Sequence, residues 1–341
     1  MRPEALPPGL MLVHGNHPES LRDLMVAWIH RYPLAPLETE TLLVHSNGIA
    51  QWLRLALAED ADADGGGGCG IAAGLDLSLP SRFLWQAYRA VLGTGAVPET
   101  SPFDKPLLVW RLVRLLPEVV VREAYAPLRR FLASDSDQRK RFQLAERLAD
   151  LFDQYQVYRA DWLAAWAAGE DVLIRASGER QPLPDEQRWQ AALWRELLVD
   201  VAVQGAGEGP AGQGRAAVHE AFLRAADTWP DGQRPPGLPR RVLVFGISAL
   251  PRQSLEVLAV LARWSQVLMC IHNPCEHHWA DIVADKDLLR ATRSRQRRRA
   301  GMPAEIPEAE LHLHAHPLLA AWGKQGRDFI GLLDEHDSDV A

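Results

Sequence analysis

The side chains best suited to chemistry lie between Ala149 and Trp162, in the sequence ADLFDQYQVYRADW. This segment carries the carboxylates of Asp150 and Asp153 and the guanidinium of Arg159 among several aromatic rings. Carboxylates can accept hydrogen bonds from base edges, arginine can pair bidentately with guanine or phosphate, and aromatic rings can stack on unpaired bases. A helix that only packs in a core does not need this polarity. The segment therefore predicts a binding surface.

A second set of candidate ligands lies within nine residues: Cys270, His272, Cys275, His277 and His278. Sulfur and imidazole donors suit Zn²⁺, and Pro274 favours a turn among them, but the cluster lacks the second pair of ligands that a closed structural site needs. His312, His314 and His316 alternate as in a strand or extended loop. They could supply zinc ligands, and surface histidines explain them as well.

The turn HGNHPESL at residues 14–21 occupies the place where an ATPase carries its phosphate-binding loop, after the first apolar strand pattern. Such a loop needs a lysine for the terminal phosphates and a serine or threonine for Mg²⁺, in a GK[ST] motif. The turn has no such motif, and no lysine precedes Lys105. The sequence therefore predicts that this chain does not hydrolyse ATP.

Two short segments concentrate charge. Arg290–Arg299 holds six arginines in ten residues, which suits phosphates or an acidic partner, and a solvated helix face explains it equally well. The second segment is Asp135–Lys140. A helix is predicted to begin near Gln138, and Ser136 or Asp137 is expected to act as its N-cap. Arg139 and Lys140 then fall in the first turn, where positive charge is unfavourable to the helix dipole and hints at a function.

The composition is that of an ordinary globular protein. A chain of 341 residues with 47% hydrophobic and 24% charged residues has room for roughly two domains. No apolar run approaches the roughly 18 residues that span a bilayer, and the N-terminal sequence MRPEALPPGL has no apolar signal core. The three cysteines are too few for a disulfide framework. We therefore expect a cytoplasmic protein with reduced thiols.

The net charge of −7 argues against binding duplex DNA through bulk electrostatics, because that mode requires clustered lysine and arginine. Any contact with nucleic acid must be local. The chain also has 12 tryptophans. Most are expected to pack in the core, and the others could stack on unpaired bases.

Two strand–turn–helix patterns open the chain, one from Leu10 and one from Leu42. Because parallel strands need helical crossovers, the repeat predicts a parallel α/β sheet. The pattern is helical from Pro106 to about Trp229, and strands return at Arg241–Phe245 and Val267–Ile271 around a helix. We therefore predict an α/β domain in two parts, residues 1–100 and 236–341, with a helical insertion at residues 101–235.

Six blocks resemble, in order, segments of the RecC family, the gamma subunits of exodeoxyribonuclease V. Besides DLFDQY-x-VYR-x-DW, they are Thr41–Leu53, Leu79–Trp85, Pro236–Pro251, Asn273–Cys275 with Trp279, and Pro317–Asp328. The resemblance runs from about Met11 to Leu333. It implies a degenerate superfamily 1 helicase-like parallel sheet domain with an inserted helical subdomain, in a family whose members continue well beyond the length of this chain.

The resemblance also implies a function. The chain would be a non-catalytic subunit of an ATP-dependent helicase-nuclease that acts in recombinational repair of double-strand breaks. It would bind DNA ends and scan the 3′-ended single strand for a Chi-like sequence, in a heterotrimer with RecB-like and RecD-like subunits that use ATP and Mg²⁺. No catalytic residue, metal or cofactor is expected in this chain itself.

The residues that the resemblance assigns to the DNA strand are His45, Asn47, Gln51, Leu79, Trp85, Asp150, Leu151, Asp153, Arg159 and Arg215. His45 stands where the family has glutamine, and Asn47 stands where it has threonine. The eight-base Chi-like sequence that this chain would recognise therefore need not be the one that the family recognises. Leu79, Trp85 and Leu151 suit a core as well as a channel lining. Two other functions stay open: an active ATP-dependent helicase-nuclease subunit of the AddB type, and a zinc-stabilised DNA-binding module.

Overall fold

The computed structural model describes residues 7–61, 67–134, 138–175, 177–205, 209–230, 232–274, 279–281 and 317–335. The chain forms two compact units. The first unit comprises Met1–Leu84 and Gly232–Ala341, and the second comprises Trp85–Asp231. Within the described residues, no helix is both long and apolar enough to cross a membrane.

The first unit is built on a sheet of five strands. They are β1 (Gly9–Gly15), β2 (Glu40–Val44), β3 (Leu75–Ser78), β6 (Arg241–Phe245) and β7 (Gln266–His272). Their order is β1-β7-β6-β2-β3, and every pairing is parallel. The mixed α/β class with a parallel sheet, predicted from the strand–turn–helix patterns, is confirmed. β3 was not predicted, because Leu75 and Leu77 alone give too short an alternation to stand out.

The first unit also contains helices. They are α1 (Pro18–Arg31), α2 (Asn47–Ala58), the start of α3 (Pro80–Leu92), α10 (Arg252–Leu261), α11 (Pro317–Trp322) and α12 (Lys324–Asp334). All five residues of β2 and of β6 are buried, as expected for parallel strands packed on both faces. Leu42, Leu243 and Leu268 from three strands pack with Met25 of α1 and Leu53 of α2 in one core.

A buried ion pair joins β2 to its neighbour β6. Arg241 is fully buried, and its guanidinium binds both carboxylate oxygens of Glu40, with a distance of 3.0 Å from Nε to Oε2. Nη1 of Arg241 also donates to the carbonyl of Tyr32 at 2.9 Å. The charges are therefore paired and hydrogen-bonded, which is the condition for their burial.

The second unit is mainly helical. It contains most of α3, followed by α4 (Lys105–Val119), α5 (Ala126–Leu132), α6 (Arg139–Tyr158), α7 (Ala160–Ala167), α8 (Arg188–Val203) and α9 (Arg215–Asp227). Phe103, Phe152, Trp166 and Trp194 are the large side chains at the centre of its core. Ser136 and Asp137 lie outside the described residues, and the N-cap position of α6 is taken by Gln138, in the left-handed conformation with φ of 64°.

The helical interpretation of residues 106–229, with a loop predicted only at Gly205–Gly214, was wrong at one place. An antiparallel hairpin, β4 (Val172–Ile174) and β5 (Arg180–Pro182), separates α7 from α8. Strands of three residues are too short to show a periodicity of two. The hairpin is instead anchored by side chains, because Trp162 Nε1 donates to the carbonyl of Ile174 at 2.9 Å and Trp166 Nε1 to that of Val172 at 2.8 Å.

Candidate functional site

Five charged side chains of the second unit form one group, which we call the acidic cluster: Asp104, Lys105, Asp150, Asp153 and Arg215. Nη2 of Arg215 lies 2.8 Å from Oδ1 of Asp104 and 3.4 Å from Oδ1 of Asp153. Nζ of Lys105 lies 2.5 Å from Oδ1 of Asp150. The structure thus brings together three residues predicted from the sequence and adds Asp104 and Lys105.

Helix geometry places these side chains. Asp150 and Asp153 are three residues apart on α6, so they lie on neighbouring turns of one face. Asp104 is the N-cap residue of α4, and Lys105 is its first residue. Arg215 is the first residue of α9 and follows Gly214, whose φ of 99° disfavours any side chain. A Cβ at Gly214 would also lie 3.2 Å from Cζ2 of Trp194.

The acidic cluster has three carboxylates and two cations, so its formal charge is −1. The hydrogen bond to Asp150 raises the pKa of the Lys105 ammonium, which therefore stays charged at neutral pH. Asp150 and Asp153 have 40% and 35% of their side-chain surface exposed, so both can be reached from solvent. A net negative group repels phosphate but can accept hydrogen bonds from the N–H groups of base edges.

Much of the remaining polarity between Ala149 and Trp162 serves packing. Gln156 is buried and donates from Nε2 to the carbonyl of Phe103 at 3.1 Å, and the hydroxyl of Tyr155 donates to Oε1 of Gln190 at 2.8 Å. These polar side chains connect α6 to its neighbours within the second unit. Packing therefore accounts for the polar groups of Gln156 and Tyr155.

Arg159 has no described contact with the acidic cluster. It lies between α6 and α7, where its guanidinium binds both oxygens of Asp161 and the carbonyl of Ile174. Its Cζ lies 3.8 Å from the centroid of the Trp162 ring, in a cation–π contact. The structure therefore gives Arg159 a role in anchoring the β4–β5 hairpin, and its contact with DNA stays a prediction.

Four predicted residues lie in the first unit, at the carboxyl end of the sheet. His45 follows β2, Leu79 follows the neighbouring strand β3, and Asn47 and Gln51 lie one turn apart on α2. Ser46 caps α2, with its Oγ accepting from the amide of Ile49 at 3.4 Å. All four predicted side chains are exposed, and Leu79 is 50% exposed. Ligands of open α/β sheets bind at this end of the strands.

Trp85 and Leu151 are less accessible. Trp85 is half-buried in α3, where its Nε1 donates to the carbonyl of Pro98 at 2.9 Å and its ring meets Tyr88 edge-on. Leu151 is half-buried on α6, beside Asp150. Packing accounts for the position of Trp85, so its role in strand binding stays a prediction.

The candidate zinc ligands are only partly described. Cys270 is buried in β7, and desolvation raises the pKa of its thiol to about 12, so the thiolate that zinc requires is disfavoured. Nε2 of His272 lies 3.2 Å from the carbonyl of Asn16. Cys275, His277, His278 and the histidines at 312, 314 and 316 lie outside the described residues. No group of three or more potential ligands that could hold a metal occurs within the described part of the chain.

Comparison with known proteins gives consistent matches. Residues 10–341 match the family described as "RecC, N-terminal domain". The RecBCD enzyme subunit RecC of Escherichia coli strain K12 is 38% identical over an alignment of 343 residues. The alignment covers 96% of this chain and 28% of that protein. The RecC subunit of Haemophilus influenzae is 34% identical, with coverages of 96% and 31%, and that of Mycolicibacterium smegmatis is 25% identical, with coverages of 89% and 23%. The chain thus spans less than a third of the length of these relatives.

Proposed function

The chain belongs to the RecC N-terminal domain family, and we propose from this premise that it contributes a single-strand scanning surface to a RecBCD-type helicase-nuclease in DNA repair. The strand would be the 3′-ended one, inspected for a Chi-like sequence. RecB-like and RecD-like subunits would bind ATP and Mg²⁺ and carry out unwinding and cleavage. The parallel sheet would then be a degenerate helicase-like domain that acts as a scaffold.

The acidic cluster is the observation that carries this proposal. A strand that is only held needs cations along its phosphates, whereas a strand that is read needs acceptors and donors at its base edges. Asp150 and Asp153 supply exposed acceptors, and Lys105 and Arg215 hold them in place. Cytosine presents the N4 amino group to such carboxylates, and unpaired guanine presents N1–H and the N2 amino group.

The exposed polar side chains at the carboxyl end of the sheet, His45, Asn47 and Gln51, support the same function. Imidazole and amide groups can both donate to and accept from base edges. We propose that they contact base edges of single-stranded DNA. His45 and Asn47 in place of the family's glutamine and threonine would then change the preferred bases, although not the mode of binding.

Replacing Asp153 by asparagine tests the reading role. The change removes one carboxylate acceptor and breaks its ion pair with Arg215, but it keeps the size of the side chain. We expect discrimination between oligonucleotides that differ at one base to fall by about 1–3 kcal/mol. Dissociation constants for a panel of single-base variants, from fluorescence anisotropy with the full chain, would measure this.

Asp185→Asn is the matched control, because Asp185 is an exposed acid of the same unit that pairs with Arg188 outside the cluster. It should leave base preference unchanged. The two replacements remove the same charge, so a general electrostatic effect would appear in both. A contradicting result would be that Asp153→Asn and Asp185→Asn both strengthen the binding of every oligonucleotide equally. The cluster would then only repel DNA and would not recognise its bases.

We also expect the full chain not to bind ATP. The turn after β1 has no lysine, and the contacts that the described residues make there are internal: the amide of Asn273 donates to the carbonyl of Gly15 at 2.9 Å. Without the adjacent lysine and hydroxyl of a GK[ST] motif, the turn lacks the groups that compensate triphosphate charge and ligate Mg²⁺. Calorimetric titration with Mg·ATP should therefore show no saturable heat. Saturable binding that His17→Ala abolished would favour the AddB-type alternative.

A further inference from the structure

Two aromatic side chains form an exposed pair on the second unit. Trp110 of α4 is 66% exposed and Phe142 of α6 is 38% exposed, and their ring centroids are 5.9 Å apart. Leu107, one turn before Trp110, is 41% exposed. Contiguous exposed apolar patches of this kind often mark interaction sites. We call Trp110 and Phe142 the aromatic platform.

The groups around the aromatic platform carry net positive charge. Arg114 lies one turn after Trp110, and together with Arg111 it pairs with a single carboxylate, that of Asp200, which leaves a charge of +1. On the side of Phe142, the first residues of α6, Arg139, Lys140 and Arg141, carry three positive charges, and Glu146 one turn later carries one negative charge. Both flanks therefore attract a polyanion, in contrast to the acidic cluster.

Helix α6 joins the two regions. Phe142 and Asp153 are 11 residues apart, which is three helical turns with an offset of about 20°, so they lie on one face about 16 Å apart. Glu146 and Asp150 lie between them, and Lys105 is close enough to feel the charges of Glu146, Asp150 and Asp153. One face of α6 thus runs from an aromatic, positively flanked end to the acidic cluster.

We infer that the aromatic platform is a stacking site for the single strand whose bases the acidic cluster reads. Trp110 and Phe142 bind a base by its face, and the positive flanks hold the adjoining phosphates. The strand then follows the exposed face of α6, and the acidic cluster meets base edges a few nucleotides further on. This inference rests on the proposed function. It adds a second binding surface for the strand, separate from the acidic cluster.

Trp110→Ala in the full chain tests the inference, with fluorescence anisotropy of two labelled oligonucleotides, one of about 16 nucleotides, the upper end of common site sizes, and one of about 2 nucleotides. The long strand reaches both regions. We expect Trp110→Ala to weaken its binding about 5- to 150-fold, the usual effect of removing one stacked ring. Trp110→Phe, which keeps a ring, should stay within about threefold of the wild type. Trp322→Ala is the matched control, because Trp322 is 81% exposed in another unit.

The short strand separates the two regions, since it cannot cover both at once. When it carries the bases that the cluster prefers, we expect Asp153→Asn to change its binding and Trp110→Ala to change it less than twofold. Equal binding of the long strand by Trp110→Ala and wild type, with the effect of Asp153→Asn intact, would overturn the platform and leave the proposed function standing. If the wild type bound neither strand, both would fail. If Trp110→Ala reduced only co-purification with RecB-like or RecD-like subunits, the platform would be a protein interface.

Discussion

Replacing Arg241 by alanine is expected to lower the free energy of unfolding of the first unit by about 3–5 kcal/mol, because the carboxylate of Glu40 would be left buried without its partner. Glu40 is 8% exposed, and both of its oxygens bind Arg241. The carbonyl of Tyr32 would lose its donor as well. Few single replacements in this sheet should cost as much.

Hydrogen exchange measured by mass spectrometry would resolve this loss within the two-unit chain. Peptides from β2 and β6 should exchange faster in Arg241→Ala, whereas peptides from α8 in the second unit should keep their protection. The double variant Glu40→Met with Arg241→Met should recover most of the stability, since apolar residues of similar volume often replace a buried pair at little cost. An equal loss in the double variant would show that shape, and not the unpaired charge, dominates.

Trp194→Ala is expected to destabilise the second unit by a similar amount, about 3–5 kcal/mol. Trp194 is 1% exposed, and its ring centroid lies 5.1 Å from that of Phe103 and 5.6 Å from that of Phe152. Its removal would leave a large cavity among α4, α6 and α8. Hydrogen exchange of peptides from these helices, compared between Trp194→Ala and the wild type, would measure the loss of stability.

Trp194→Phe separates two contributions to this effect. Nε1 of Trp194 is buried and has no acceptor among the described residues, which already costs about 1–3 kcal/mol. Phenylalanine removes part of the packing but also removes the unpaired donor. We therefore expect Trp194→Phe to cost less than half as much as Trp194→Ala. Equal losses would mean that the indole N–H is hydrogen-bonded in solution.

Most of the sheet could be predicted from the sequence, because β2, β6 and β7 are buried and their sequences are largely apolar. Arg241–Phe245 begins and ends where the pattern places it, and the other three predicted strands begin within two residues of their predicted starts. The β4–β5 hairpin could not be predicted this way, since its stability comes from indole N–H groups that donate to its carbonyls from another helix. No local pattern records such contacts.

The candidate site was predictable only where its residues lie close together in the sequence. Asp150 and Asp153 are adjacent on one helix, so their spacing shows that they share a face. Asp104 and Lys105 precede them by more than 40 residues, and only the packing of α4 against α6 brings the four together. A lysine directly before Pro106, at the predicted start of a helix, was the one available signal. Arg159 has the right chemistry for reading bases, but its donors bind Asp161 and a carbonyl.

The order of strands in the sheet has a consequence for synthesis. Within the described residues β1 pairs only with β7, so that Val13 lies beside Cys270, and β2 lies between β3 and β6. The ribosome finishes residues 85–231 before β6 or β7 exists, and at common elongation rates roughly 10–30 s separate the end of β3 from the start of β6. The second unit can therefore fold before β1 and β2 have their partner strands β7 and β6. During that interval the nascent chain exposes apolar strand edges, and chaperones have their longest opportunity to bind there.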